Sequence, residues 1–305
     1  MNKNEILKLL QSKINRVKLP SDMEFFIDTE KKELIITLSP KGICSNMQTD
    51  AAAFEGWAIC LKAWLPEYIT NVKIAGEIPT FPATKSAIKS KEEKHYNRFL
   101  YRLEKFIKTY KWAFSDDYTN AIKEFAEHHL IINVPMKNKK TERASHQEAQ
   151  LELEYCTQHK DDYDCINHQL PVGLFHNEVT ATNAITSRGL IDIWSIKDEI
   201  LTIFELKIPT NKMVGIISEL MFYTNVMSDV MKHRINILEP SKERDFDKLY
   251  SLYQNESCKK IKSIFLANEV HPLIKSNLST VLEIINTGNF LIETEYSYDR
   301  PIVAE

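Results

Sequence analysis

The chain has 305 residues, 43% of them hydrophobic and 27% charged, with a formal net charge of −3. That is enough for one large domain or two ordinary ones with a real core, and a near-neutral balance excludes a chain-wide basic footprint, so any nucleic-acid surface must be local. The five cysteines (Cys44, Cys60, Cys156, Cys165, Cys258) are odd in number and contain no C-x-x-C, which argues against a disulfide framework and sets a reducing cytoplasm as the expected location.

Taken in chain order, Ile6, Leu7, Leu10, Ile14 and Val17 mark an N-terminal amphipathic helix rather than a leader segment. MEFFID and ELIITL read as a hairpin around TEKK. Thr49 or Asp50 can cap a helix through AAAFEGWAICLKAWL, and TNVKIAGEI reads as a further strand. Two prolines in IPTFPATKS interrupt regular structure before a long helix over 91–112, whose Tyr96, Phe99, Leu103, Phe106, Ile107 and Tyr110 share one face. A shorter helix near 117–130 follows, and the basic segment MKNKKTER reads as a seam. Beyond it HQEAQLELEY is helical, HQLPVGLF, RGLIDIWSI and EILTIFELK are strands, and NKMVGIISELMFYTNVMSDVM is an amphipathic helix. IKSIFLAN is a buried strand, and a helix over 275–287 and the strand NFLIETEYSY complete the pattern. The order predicts a mixed α/β class, with an N-terminal α/β domain over residues 1–135 and a second domain over 136–305.

The stretch GLIDIWSIKDEILTIFELK poses the chemical question, because Asp192, Glu205 and Lys207 stand inside runs that read as buried strands. If the hairpin turns on Asp198-Glu199, Lys197 pairs with Ile200 and Asp192 falls opposite Glu205. Facing Cβ atoms are about 4.5–5.5 Å apart, and Lys207 shares the face of Glu205. Two opposed carboxylates call for compensation. A hard divalent cation such as Mg²⁺ supplies it, with the lysine beside it to orient or deprotonate a water. The plain alternative is a solvated sheet face with incidental charges.

Asp192 followed by Glu205-Leu206-Lys207 on the next strand resembles the PD-(D/E)XK nuclease superfamily, with Ile191-Asp192 in place of the family's proline-aspartate. The resemblance covers about residues 140–270 and implies a restriction-endonuclease-like αβββαβ core. It implies Mg²⁺ or Mn²⁺ held by Asp192, Glu205 and the Leu206 carbonyl, and Lys207 positioning the attacking water. Glu148 or Glu152, on the preceding helix, would supply a further acid. Glu219 and Tyr223 are similar to the Q-x-x-x-Y element of the RecB-like branch, with Glu for Gln, and would support the site. The expected activity is endonucleolytic phosphodiester hydrolysis, in DNA rather than RNA, and by analogy of fold in restriction or anti-phage defence. The alternative is a non-catalytic nucleic-acid-binding or assembly protein that retains the fold.

Cys156-x-x-His159 and Cys165-x-x-His168 form a rival set for structural zinc. No G-x-x-x-x-G-K-[ST], G-x-G-x-x-G or G-x-S-x-G occurs. Lys91, Lys94, Arg98, Arg102 and Lys105 recur at helical spacing as a candidate phosphate-contacting stripe, and Lys139, Lys140 and Arg143 form a second basic cluster. The expected partner is nucleic acid, with a second copy or a protein partner engaged through the N-terminal domain. No run approaches the roughly 20 apolar residues of a membrane span.

Overall fold

The computed structural model describes residues 1–82, 87–134, 147–208 and 212–301. The chain is mixed α/β and divides into two compact units. The first comprises Met1–His128, Lys212–Glu219 and Val270–Asn289; the second comprises His129–Asn211, Leu220–Glu269 and Phe290–Glu305. The seam thus follows His128, and two later segments return to the first unit, where the sequence suggested one uninterrupted division after residue 135. The segment MKNKKTER lies outside the described residues.

In the first unit, α1 (Lys3–Lys13) starts on a capping box: Asn2 accepts the Asn4 and Glu5 amides while Glu5 takes the Asn2 amide. β1 (Met23–Asp28) and β2 (Glu33–Leu38) form the expected hairpin, Met23 opposite Leu38. Alternate residues Met23, Phe25 and Ile27 enter the core. There follow α2 (Pro40–Ile43), α3 (Phe54–Trp64), β3 (Asn71–Gly76), α4 (Lys91–Thr109), β4 (Ala113–Phe114) and α5 (Thr119–Ala126). β3 lies parallel to β2, and β4 parallel to β3, giving the order β1-β2-β3-β4. The apolar face of α4 packs on α3, with the Phe54 ring meeting Phe99 at 5.5 Å and Phe106 at 5.6 Å, both edge-on. Such pairs contribute about 0.5–1.5 kcal/mol beyond the area they bury.

The chain continues with β5 (Leu130–Ile132), α6 (Gln147–Gln158), β6 (Cys165–Pro171), β7 (Leu174–His176), β8 (Leu190–Lys197), β9 (Ile200–Lys207) and α7 (Gly215–Met231). Next are β10 (Ile235–Asn236), a 3₁₀ turn (Glu243–Asp245), α8 (Phe246–Gln254), β11 (Lys260–Ala267), α9 (Pro272–Lys275), α10 (Leu278–Asn286) and β12 (Glu293–Asp299). In the second unit β6, β8 and β9 form an antiparallel meander, and β11 and β12 continue it in parallel, in the order β12-β11-β9-β8-β6. A small sheet, β10-β5-β7, stands apart from it.

HQLPVGLF is two strands, not one. Pro171 has no N–H to continue the ladder, the Gly173 amide donates to the Asn133 side chain at 2.7 Å, and β7 pairs with β5. The helix expected over 275–287 is α10, preceded by the short α9 that the sequence did not indicate, and both belong to the first unit. There Trp64 Nε1 donates to the Leu273 carbonyl at 2.8 Å, Asn277 to the Ala63 carbonyl at 3.0 Å, and Tyr110 to the Ile285 carbonyl at 2.8 Å. These bonds satisfy main-chain carbonyls of α3, α9 and α10.

Candidate active site

β8 and β9 turn on Asp198 and Glu199, both left-handed at φ 52° and 64°, the conformation that matches the twist of a two-residue hairpin. The register runs from Lys197 opposite Ile200 to Ile193 opposite Phe204, as the sequence implies. One residue further, a side chain takes over from the ladder: Oδ2 of Asp192 accepts the Leu206 amide at 2.9 Å.

Side-chain alternation sorts the two faces of the sheet. Ile193, Phe204, Leu206 and Leu266 pack with Tyr155 and Cys156 of α6. Asp192, Glu205 and Lys207 therefore occupy the other face. Thr224 of α7 reaches that face, its Oγ1 lying 2.7 Å from Oγ of Ser263, a residue paired with Ile203. Glu205 is completely buried and Lys207 is 7% exposed, and Nζ of Lys207 donates to Oε1 of Glu205. Asp192 is half-buried.

The opposed carboxylates are thus offset within the chain, by an ammonium at Glu205 and a main-chain amide at Asp192. Among the described residues, the compensation that the sequence assigned to a cation thus has internal sources. Among the described residues no group of three or more His, Cys, Asp or Glu side chains could hold a metal ion. Two carboxylates and the Leu206 carbonyl still fit Mg²⁺, which keeps several waters and needs only one or two protein carboxylates. Engaging an ion through Oε1 would require Glu205 to release Lys207.

Glu148 and Glu152 both lie on α6. Glu152 is 4% exposed, and its Oε2 lies 3.7 Å from Nδ1 of His168. His168 pairs with Ile193 and so stands on the α6 face. This corrects the expectation that Glu152 joins Asp192 and Glu205, because the sheet lies between them. Glu148 sits one turn earlier on the same helix. Tyr223, 3% exposed, packs near the entry to β8, where a methyl group added at Gly189 would come within 3.3 Å of its Cε1. Glu219, 2% exposed, belongs to the first unit and accepts a hydrogen bond from the Gln48 side chain.

The two C-x-x-H pairs are not assembled. Burial pushes the Cys156 and Cys165 thiols up to about 12, which disfavours the thiolate that zinc needs. His159 bonds Asp162 at 2.7 Å, while His168 faces Glu152.

The basic stripe on α4 also requires correction. Arg98 and Arg102 are each 3% exposed. Arg102 forks onto Glu55, with Nε to Oε1 at 2.8 Å and Nη2 to Oε2, and Nη2 also reaches the Ala52 carbonyl at 2.9 Å. Ser218 donates to the same Glu55 carboxylate at 2.7 Å. Arg102 is committed to a buried network, and both arginines are buried, not displayed for phosphate. Lys105 is half-buried, its Nζ 5.1 Å from the Tyr101 ring centroid. Lys91 is exposed and Lys94 half-buried. Lys139, Lys140 and Arg143 lie outside the described residues.

Sequence reading passed over Arg244, whose Nη1 donates to the His168 carbonyl at 3.1 Å. No motif marks it, since it comes from a turn 52 residues beyond Asp192 in the chain. Among the described residues no helix is long and apolar enough to cross a membrane. In comparison with known proteins, the chain matches no family model, no curated protein and no solved structure.

Proposed function

We propose that this protein is a metal-dependent phosphodiester hydrolase of the PD-(D/E)XK kind, acting on nucleic acid, with DNA favoured over RNA. The observation that carries the reading is the gathering of Asp192, Glu205 and Lys207 on one face of the β8–β9 hairpin. With β7, β10, the 3₁₀ turn and α8 set aside, the order α6-β6-β8-β9-α7-β11 is compatible with the αβββαβ arrangement that the sequence resemblance implies. An ion bound by the two carboxylates and the Leu206 carbonyl would neutralise phosphate charge and acidify a bound water. Asp192, pinned by the Leu206 amide, offers a pre-oriented oxygen at the more solvent-accessible end of the set. Lys207, once released from Glu205, places an ammonium where charge develops on the phosphate. The burial of Lys207 keeps that ammonium out of competition with bulk water.

A second reading has its own observation. Complete burial of Glu205 against Lys207 also suits a structural ion pair in a non-catalytic nucleic-acid-binding or assembly protein. Cleavage of labelled single- and double-stranded DNA and RNA in Mg²⁺ or Mn²⁺ separates the two. The catalytic reading expects metal-dependent cleavage by the wild type, and its loss in Asp192→Asn at a nearly unchanged melting temperature. Wild-type levels of cleavage by folded Asp192→Asn would sink the proposed site. Binding without cleavage would favour the second reading.

A further inference from the structure

Arg244 and Asp245 are consecutive left-handed residues, at φ 52° and 55°, and neither is glycine. That conformation is uncommon for such residues and persists where the surroundings over-determine it. Three interactions hold it here. Asn167 of β6 donates to Asp245 at 2.7 Å, Lys248 pairs with Asp245 at 3.1 Å, and Arg244 donates to the His168 carbonyl. The product of this turn is the placement of one guanidinium. Its Cζ lies 4.8 Å from the centroid of the Phe246 ring, and Phe246 in turn stacks on Trp194 at 5.9 Å with 14° between the planes.

Trp194 fixes which face this is. It pairs with Ile203, two residues from Glu205 on β9, and it lies two residues from Asp192 on β8. Side chains two apart on a strand share a face, so the Trp194–Phe246–Arg244 stack stands on the face of Asp192 and Glu205. In the β6–β8 register Leu170 is opposite Ile191 and His168 opposite Ile193. The position across from Asp192 is therefore Gln169, adjacent to the carbonyl that Arg244 holds. The half-buried guanidinium is thus held at the His168 carbonyl of β6, the strand next to that of Asp192, on the sheet face that Asp192 shares with Trp194, and all of these residues lie in the second unit.

From this geometry we infer that Arg244 is a substrate-binding residue, which engages a non-bridging phosphate oxygen of the nucleic-acid backbone next to the scissile bond. The inference rests on the hydrolase reading. The planar fork of arginine suits phosphate oxygens, its ring stacking limits the entropy lost on binding, and partial burial strengthens its field relative to an exposed lysine. A pure strut to the His168 carbonyl would use the same bond, so the test must separate charge from support.

The experiment compares full-length wild type, Arg244→Gln and Arg244→Lys by steady-state cleavage and by salt-dependent binding. The probe is a fluorescein-labelled oligonucleotide, as single-stranded DNA, duplex DNA and RNA, and binding is measured in Ca²⁺. For Arg244→Gln we expect KM to rise about tenfold with kcat little changed, as for loss of one charge-assisted bond. The log–log salt slope should fall by about 0.9 on duplex or 0.7 on single strands. Arg244→Lys keeps the charge, so it should retain the slope and raise KM less than Arg244→Gln does. Unchanged KM and slope in Arg244→Gln would overturn the inference while cleavage by wild type stands. If Arg244→Gln melts early, Arg244→Lys decides: a raised KM with the wild-type slope and melting temperature supports phosphate contact, and wild-type kinetics overturn it. If wild type binds but does not cleave, the hydrolase reading fails, and the slope difference alone judges Arg244. If it neither binds nor cleaves, both fall.

Discussion

The carboxylate of Asp192 accepts the main-chain amide of Leu206 at 2.9 Å, across the hairpin that also carries Glu205. A carboxylate in such a bond is stabilised as the anion, so removing its charge does not relieve strain. In metal-free buffer Asp192→Asn is expected to melt at or slightly below the wild-type temperature, by the equivalent of about 0.5–1.5 kcal/mol. Millimolar Mn²⁺ should stabilise the wild type by mass action and leave the variant unmoved. Differential scanning fluorimetry reads both, and equal metal responses in the two proteins would remove Asp192 from the ion site.

Arg102 and Glu55 form a pair with only 3% and 2% of their surfaces exposed. Removing one partner strands the other charge, so Arg102→Ala should cost about 3–5 kcal/mol in urea unfolding. The double replacement Glu55→Gln with Arg102→Met should cost less than the single change. Lys91→Glu, exposed in the first turn of α4, should stay within about 0.5 kcal/mol of wild type. Equal tolerance of Arg102→Ala and Lys91→Glu would contradict the buried network.

His271 gives the first unit a pH signature. Burial lowers its pKa from 6.5 to about 4, and its Nδ1 accepts the Leu273 amide at 3.2 Å at the start of α9, a bond that requires an unprotonated nitrogen. The unfolded chain takes up this proton below about pH 6.5, whereas the folded chain resists until about pH 4. The contribution is therefore fully present above pH 6.5 and is lost as the pH falls toward 4, at up to about 1.4 kcal/mol per pH unit. His271→Asn keeps a capping acceptor without the titration, so its urea midpoint should fall less between pH 6.5 and 4.5. Parallel pH profiles for the two proteins would refute the assignment.

The hairpin register was legible because it is local: a two-residue turn and strict alternation settle which residues face each other. The helix over α4 was legible for the same reason. The roles of its arginines were not. Arg98 and Arg102 lie beside the apolar stripe of Phe99, Leu103 and Phe106, and a basic residue there can equally face water or a buried acid. For Arg102 the partner that decides, Glu55, is 47 residues away. Glu152 presents a related difficulty, because helical periodicity shows that it shares a face with Cys156 and not which side of a sheet that face will meet. The separation of α9 and α10 from their sequence neighbours was equally hidden, since their amphipathic pattern does not name a partner.

The return of Val270–Asn289 to the first unit has a consequence for how the protein is made. During synthesis, N-terminal domains ordinarily fold while later segments are still emerging. Here the ends of α3 gain their bonds from Leu273 and Asn277 only after the whole β6–β11 region has left the ribosome. Until then residues 1–128 lack the Leu273 acceptor of Trp64 and the α10 segment that Tyr110 reaches. A cut after residue 128 would yield a fragment short of part of its own core.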